Sequence, residues 1–173
     1  EVSTDASIWA IETAMTLAEK VRVVIVPGNH DYTTSWHIGR TLSAWFRNCP
    51  SVDVDCRPLA RKYIEHGTVM LCWTHGNEIK LDKLPLIMAQ EQPAMWGRCQ
   101  WKEIHTGDKH QRQLSEYCGV AVRILPSLCP PDAWHSSKGY VGNIRMGEAY
   151  VWNESEGLVG TAVYSILPNQ GAE

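Results

Sequence analysis

Arg22-Val23-Val24-Ile25-Val26 runs directly into Pro27-Gly28-Asn29-His30-Asp31. The first five residues form a β-branched apolar run, the pattern of a short strand buried on both faces. Pro27 and Gly28 end it. Asn29, His30 and Asp31 then put an amide, an imidazole and a carboxylate on the loop that follows. Helical patterns lie on either side. Upstream, Ile8, Ile11, Met15 and Leu17/Ala18 recur at helical spacing behind Ser3-Thr4-Asp5, whose oxygens can cap a helix of about four turns. Downstream, Ile38, Leu42, Trp45 and Phe46 mark a second amphipathic helix, closed by Asn48-Cys49-Pro50.

The remainder of the chain is mostly strand. Residues 52–56 read as a short strand, and residues 62–66 and 68–73 as a hairpin around Gly67. A helix is expected over residues 84–92, with Pro85 in its first turn. Strands are expected at 101–105 and 118–125. Residues 126–142 are rich in Pro, Ser and Gly and read as a functional or wrapping loop. A terminal hairpin is expected from residues 148–152 and 161–166. Helix-strand-helix followed by strands predicts an α/β layered fold with a mixed sheet, spanning residues 1–173 as a single domain.

Composition narrows the function classes. The 173 residues carry 16 basic and 19 acidic side chains, a net charge of −3. That balance argues against a general nucleic-acid coat and leaves only local basic patches. Lys80, Lys83, Lys102, Lys109 and Arg112 sit near the loops that carry polar motifs, where a solvated face is the plain reading and phosphate contact the sharper one. With 44% hydrophobic and 20% charged residues, the chain has the composition of a folded protein. No apolar stretch reaches the roughly 18 residues of a spanning helix, so no membrane partner is expected. The six cysteines, at 49, 56, 72, 99, 118 and 129, form no CxxC pair. A zinc knuckle is therefore not expected, and the reading is a reduced, cytoplasmic setting.

Three expected strands end in polar loops of one flavour. Val23-Val24-Ile25-Val26 leads to Asn29-His30-Asp31, Val69-Met70-Leu71-Cys72-Trp73 to Thr74-His75-Gly76-Asn77, and Trp101-Lys102-Glu103-Ile104 to His105-Thr106-Gly107-Asp108-Lys109-His110. Ligands of α/β sheets bind outside the carboxyl ends of the strands. The three loops therefore predict one converging metal or phosphate site.

With these loops the chain resembles the calcineurin-like metallophosphoesterase family. Gly28-Asn29-His30-Asp31 matches that family's GNHD motif. His75-Gly76 stands where the family has its single-histidine motif, and Gly107-Asp108-Lys109-His110 where it has G-H-x-H. The likeness covers about residues 5–125. It implies a layered αββα sandwich and a two-metal site at which phosphorus is attacked in line while the metals neutralise developing charge. It further implies Asn29, His75 and Asp108 as ligands of the second metal and His110 as a ligand of the first. His30 would act on the phosphoryl transition state or the leaving oxygen, oriented by Asp31. The implied cofactor is two divalent ions, with Mn²⁺ favoured.

Two departures qualify the resemblance. The family's opening D-x-H and G-D motifs have no counterpart here, so the expected domain lacks its N-terminal strands and binds two ions, one or none. Asp108 replaces a histidine, and its hard oxygen favours Mn²⁺ or Mg²⁺. Thr74-His75-Gly76-Asn77, then Ile79-Lys80-Leu81-Asp82-Lys83-Leu84-Pro85, and the loop with Trp134 and His135 resemble the DNA-repair exonuclease branch and its phage-encoded relatives. This implies a nucleic-acid phosphodiester substrate, contacted by Trp134 and His135.

Plainer readings stand beside these. Asn29-His30-Asp31 is also a turn sequence. His75 can be an ordinary strand-end histidine and Asp108 a surface carboxylate. Trp134 can cover a core edge. His105 is an alternative ligand should the local register differ, His37 reads as a polar surface residue, and His66 carries no functional case. Rival functions are a small-molecule or nucleotide phosphatase of the same fold and a non-catalytic half-site remnant. An exposed sheet edge would allow a homo-oligomer.

Overall fold

The chain is α/β, with a mixed five-stranded sheet. The computed structural model describes residues 2–129, 142 and 144–166. Its packing divides into two units, Glu1–Lys62 and Tyr63–Glu173.

The first unit contains α1 (Val2–Met15), β1 (Val21–Val24), α2 (Tyr32–Trp45) and β2 (Val52–Asp55). β1 and β2 are parallel, pairing from Val21↔Val52 to Val24↔Asp55. A parallel pair needs a crossover, and α2 supplies it. Ile11, Leu42 and Phe46 form the buried centre, with Ile8, Met15, Val21, Val23, Ile25, Ile38, Val52 and Val54 against it. Gly39 lets α2 approach its neighbour: a Cβ there would stand 2.5 Å from the Cβ of Cys56. α2 starts well ahead of its first apolar repeat, immediately after Asp31, because its opening turn is polar. β1 is half-buried, not buried on both faces. Among the described residues β2 is its sole strand neighbour, and Arg22 points outward to Asp53 at 2.8 Å.

Lys62 is 2% exposed. Its ammonium donates to the main-chain O of Asp55 at 2.7 Å and to Asp55 Oδ1 at 3.1 Å. Arg57 Nη2 donates to Asp55 Oδ2 at 2.7 Å. Hydrogen bonding from Arg57, reinforced by Lys62, overrides burial and holds the Asp55 carboxyl well below the usual carboxylate range.

In the second unit the sheet order is β3 (Arg61–His66), β4 (Val69–Thr74), β5 (Trp101–Thr106), β7 (Val120–Ile124), β6 (Gln113–Tyr117). β4, β5 and β7 run parallel, and β6 is antiparallel to β7. The expected strand at 118–125 is the second arm of a hairpin whose first arm, β6, lacks an apolar run. Its two-residue turn is Cys118-Gly119, with φ of 51° and 77°, the conformation of a type I′ turn.

One face of this sheet packs Met70, Cys72, Ile104, Val120 and Val122 against Leu84, Met88 and Cys99. Leu84 and Met88 come from α3 (Leu84–Glu91), whose first turn holds Pro85 as expected. A further helix, α4 (Pro93–Arg98), begins at a second proline, which suits a helix start. The opposite face carries Trp73, His105 and Arg123, which the register aligns across β4, β5 and β7. The hairpin of β8 (Met146–Asn153) and β9 (Gly157–Ser165) covers it, longer than expected at both arms. The hairpin tip is anchored where Thr68 N–H donates to Glu154 O at 2.7 Å and Trp101 Nε1–H to Ser155 O at 2.8 Å. Gly67, at φ 58°, makes room for Glu154: a Cβ would stand 2.4 Å from its carbonyl oxygen. No helix among the described residues is long and apolar enough to cross a membrane.

Candidate functional site

In the first unit, Asn29 and His30 are exposed on the loop from the end of β1 to the start of α2. Gly28 is buried, and its N–H donates to Asp31 Oδ1 at 2.7 Å. The main-chain O of Asp31 accepts the Ser35 N–H at 2.7 Å. Asp31 therefore closes the loop and opens the helix together. No hydrogen bond joins Asp31 to His30 among the described residues, so what Asp31 orients directly is the loop carrying the imidazole.

In the second unit, the loops after β4 and β5 meet. Parallel pairing sets Thr74 beside Thr106, and Gly107 N–H donates to His75 O at 2.9 Å. Leu125 N–H, at the end of β7, donates to Thr106 O at 2.7 Å. His75 Nε2 consequently lies 3.5 Å from Asp108 Oδ1, with the two side chains 26% and 31% exposed. Asp108 and His110 have left-handed φ of 66° and 49°. Side chains other than glycine seldom hold such backbone without compensation. Lys109, between them, is exposed.

The pair suits one divalent cation. A ring nitrogen and a carboxylate oxygen that each bind an ion at about 2.0–2.2 Å must stand within roughly 4 Å of each other, and these two do. No group of three His, Cys, Asp or Glu gathers as a metal site among the described residues. An ion held by His75 and Asp108 therefore takes its other ligands elsewhere, from solvent, substrate or other donor types.

Of the residues singled out from sequence, the structure brings His75 and Asp108 together and places half-buried His110 two residues further along the same loop. Asn29, His30 and Asp31 share the loop of the first unit. Trp134 and His135 lie outside the described residues.

His105 is not on the loop. It is 4% exposed, on the sheet face under the β8–β9 hairpin. Its ring meets Tyr150 edge-on at 5.0 Å. Nε2 stands 3.0 Å from Glu103 Oε1, an ion-pair distance, although the geometry leaves Nε2 without a hydrogen-bond partner among the described residues. Arg123 Nε donates to the same Glu103 oxygen at 2.7 Å. Burial pushes the Glu103 carboxyl up, but His105 and Arg123 outweigh it and hold it below its ordinary value. Tyr150 lies against Arg123 and bonds Glu148, and its hydroxyl is pushed far up by burial and by that carboxylate. Arg112 Nε lies 2.6 Å from Glu148 Oε1. The sequence signal for this network is the alternation of Glu103 and His105 on one face of β5.

No family model matches the chain, and no curated protein matches it. Among solved structures it is similar to a conserved uncharacterized protein, a predicted phosphoesterase, from Streptococcus pneumoniae TIGR4. The likeness has a TM-score of 0.35 and 10% identity, and it spans 84% of this chain and 97% of that one.

Proposed function

We propose that this chain is a metal-dependent phosphoester hydrolase, and that its substrate is a nucleic-acid phosphodiester. The observation that carries the reading is the His75–Asp108 pair, a nitrogen and an oxygen donor 3.5 Å apart at neighbouring ends of parallel strands. The Gly28-Asn29-His30-Asp31 motif supports the reading separately, within the first unit, where the imidazole is exposed and Asp31 pins the loop.

His75 and Asp108 would hold a divalent ion, with His110, on the same loop as Asp108, as a further donor. Mn²⁺ or Mg²⁺ suits the hard carboxylate oxygen. Such an ion, when bound, neutralises charge developing on phosphoryl oxygens and acidifies a water. The motif resemblance gives His30 the role of proton donor to the leaving oxygen. Asp31 fixes the loop that presents it. Lys109 adds positive charge beside the pair. The finer reading is a two-metal nuclease akin to DNA-repair exonucleases and their phage-encoded relatives, and it rests on the motif residues from Thr74 to Pro85. A reduced, cytoplasmic setting is part of this reading, and no disulfide joins cysteines among the described residues.

A second reading has its own observation. No three-ligand cluster gathers among the described residues, as a non-catalytic remnant of a metal site would have it.

The test compares hydrolysis of a chromogenic phosphodiester, a chromogenic phosphomonoester and an oligonucleotide, with Mn²⁺ and with EDTA. The proposal expects Mn²⁺-dependent cleavage of the diester and oligonucleotide, the latter falling steeply with salt. Preference for the monoester makes the protein a small-molecule phosphatase. Absence of cleavage under every condition supports the remnant.

A further inference from the structure

We infer that the exposed side of α2 carrying Tyr32, Trp36 and Arg40 is a stacking surface for the unpaired bases of a single-stranded nucleic acid. The inference extends the nucleic-acid reading above to the residues that would hold such a strand. Tyr32, Trp36 and Arg40 recur every four residues, which aligns them in one stripe along the helix. The helix buries Ser35, Gly39 and Leu42 instead. Tyr32 is 54% exposed and Trp36 40%. A solvent-facing helix side is ordinarily polar, and here two aromatic rings stand on it one turn apart.

Charge selects the partner. The chain has 19 acidic residues, yet none falls between Tyr32 and Arg47, and the carboxylate of Asp31, just ahead of Tyr32, accepts the Gly28 N–H. That stretch holds Arg40, Arg47 and His37. Arg47 Nη1 donates to Ala44 O at 2.9 Å, which keeps its guanidinium at the helix end. The Trp36 ring stands edge-on to His37 at 4.9 Å. Aromatic faces beside cations, without carboxylates, are how proteins hold single strands: rings take the bases and arginines the phosphates. Duplex bases hide their faces and cannot stack in this way. The stripe begins at Tyr32, next to the loop bearing His30, so a strand lying along it ends at that imidazole.

The experiment is fluorescence anisotropy of labelled octamers with the full chain in EDTA, where no cleavage intervenes. The probes are a thymidine octamer, a uridine octamer, an abasic octamer with the same phosphates, and a duplex. Stacking contributes enough per base that Trp36→Ala should weaken thymidine-octamer binding about tenfold or more. Trp36→Phe should restore most of it. Trp45→Ala should leave it unchanged, since Trp45 is also exposed but lies half-way round the helix from Trp36. Thymidine and uridine octamers should bind alike, and the abasic octamer and the duplex more weakly. Equal binding of abasic and thymidine octamers overturns the inference, as does unchanged binding by a folded Trp36→Ala protein. A change of oligomeric state in Trp36→Ala without a change in octamer binding assigns the face to a second copy and also overturns it. Octamer binding by wild-type protein that cleaves no phosphodiester defeats the hydrolase reading alone. Phosphodiester cleavage without octamer binding defeats this inference alone.

Discussion

Arg123 Nε donates to Glu103 Oε1 across 2.7 Å, and both side chains are buried beneath the β8–β9 hairpin. The pair lies on the sheet face opposite the helices, with His105 on the same carboxylate oxygen. Arg123→Met removes the cation and leaves Glu103 charged and buried. Stripping one partner from such a pair costs about 3–5 kcal/mol. The urea midpoint at pH 7 should drop accordingly, whereas the double substitution Glu103→Leu, Arg123→Met should recover much of the loss. A single variant as stable as wild type would mean the pair contributes little.

Acid should weaken the fold through two carboxylates. Asp55 is held below its ordinary value by Arg57 and Lys62, and Glu103 by His105 and Arg123 against the upward push of burial. A group with a depressed folded value contributes its full stability above its unfolded value, near 4, and loses it as pH falls toward the folded value. Urea midpoints should be flat from pH 7 to about 5 and decline below about 4. Asp55→Asn should reduce the slope in that lower window. An unchanged slope would contradict the assignment.

Two glycines should respond in opposite directions to the same substitution. In Gly39→Ala the new methyl meets the Cβ of Cys56 at 2.5 Å, an atom without freedom to swing aside. The expected loss is about 1–3 kcal/mol. Gly97, on α4, has nothing within 4 Å of a built Cβ. Gly97→Ala should gain about 0.4–1 kcal/mol by restricting the unfolded chain. Equal effects in thermal denaturation would show that α2 does not pack as closely as the structure has it.

If Asp108 is a metal ligand as proposed, it links backbone strain to metal binding. Its φ of 66° suits glycine, so Asp108→Gly should stabilise the metal-free protein by about 1 kcal/mol. The same change removes an oxygen donor. Mn²⁺ at a hundredfold excess over its dissociation constant stabilises a folded protein by about 2.7 kcal/mol. That increment should appear in the wild-type melting temperature and vanish in Asp108→Gly. An undiminished Mn²⁺ response would make Asp108 a turn residue and nothing more.

Most of the architecture was readable where the residue pattern was local. The apolar run before Gly28 gave β1, Pro85 marked the start of α3, and the two runs at 148–152 and 161–166 announced the terminal hairpin. β6 escaped because Gln113-Leu114-Ser115-Glu116-Tyr117 is mostly polar, as an edge strand can be. α4 escaped because Pro93 reads as a helix end although it also serves as a helix start. Burial of β1 was overestimated, since a β-branched run does not reveal how many strands flank it. The neighbourhood of His75 and Asp108 could be anticipated, because each was read as following the end of a strand, and the two strands pair in parallel. The Glu103–His105–Arg123 network could not. Period-two alternation puts residues on one face, but which face β8 and β9 cover is decided by tertiary packing.

The central claim is that the His75–Asp108 pair and His30 serve phosphoester hydrolysis. The direct measurement is the rate of chromogenic phosphodiester cleavage with Mn²⁺ and with EDTA, for wild type, Asp108→Gly and His30→Ala. The account predicts Mn²⁺-dependent turnover in the wild type, none in Asp108→Gly, and a rate about a hundredfold or more lower in His30→Ala, the usual scale for a lost proton donor. Turnover indifferent to Mn²⁺, or undiminished in both variants, would contradict it.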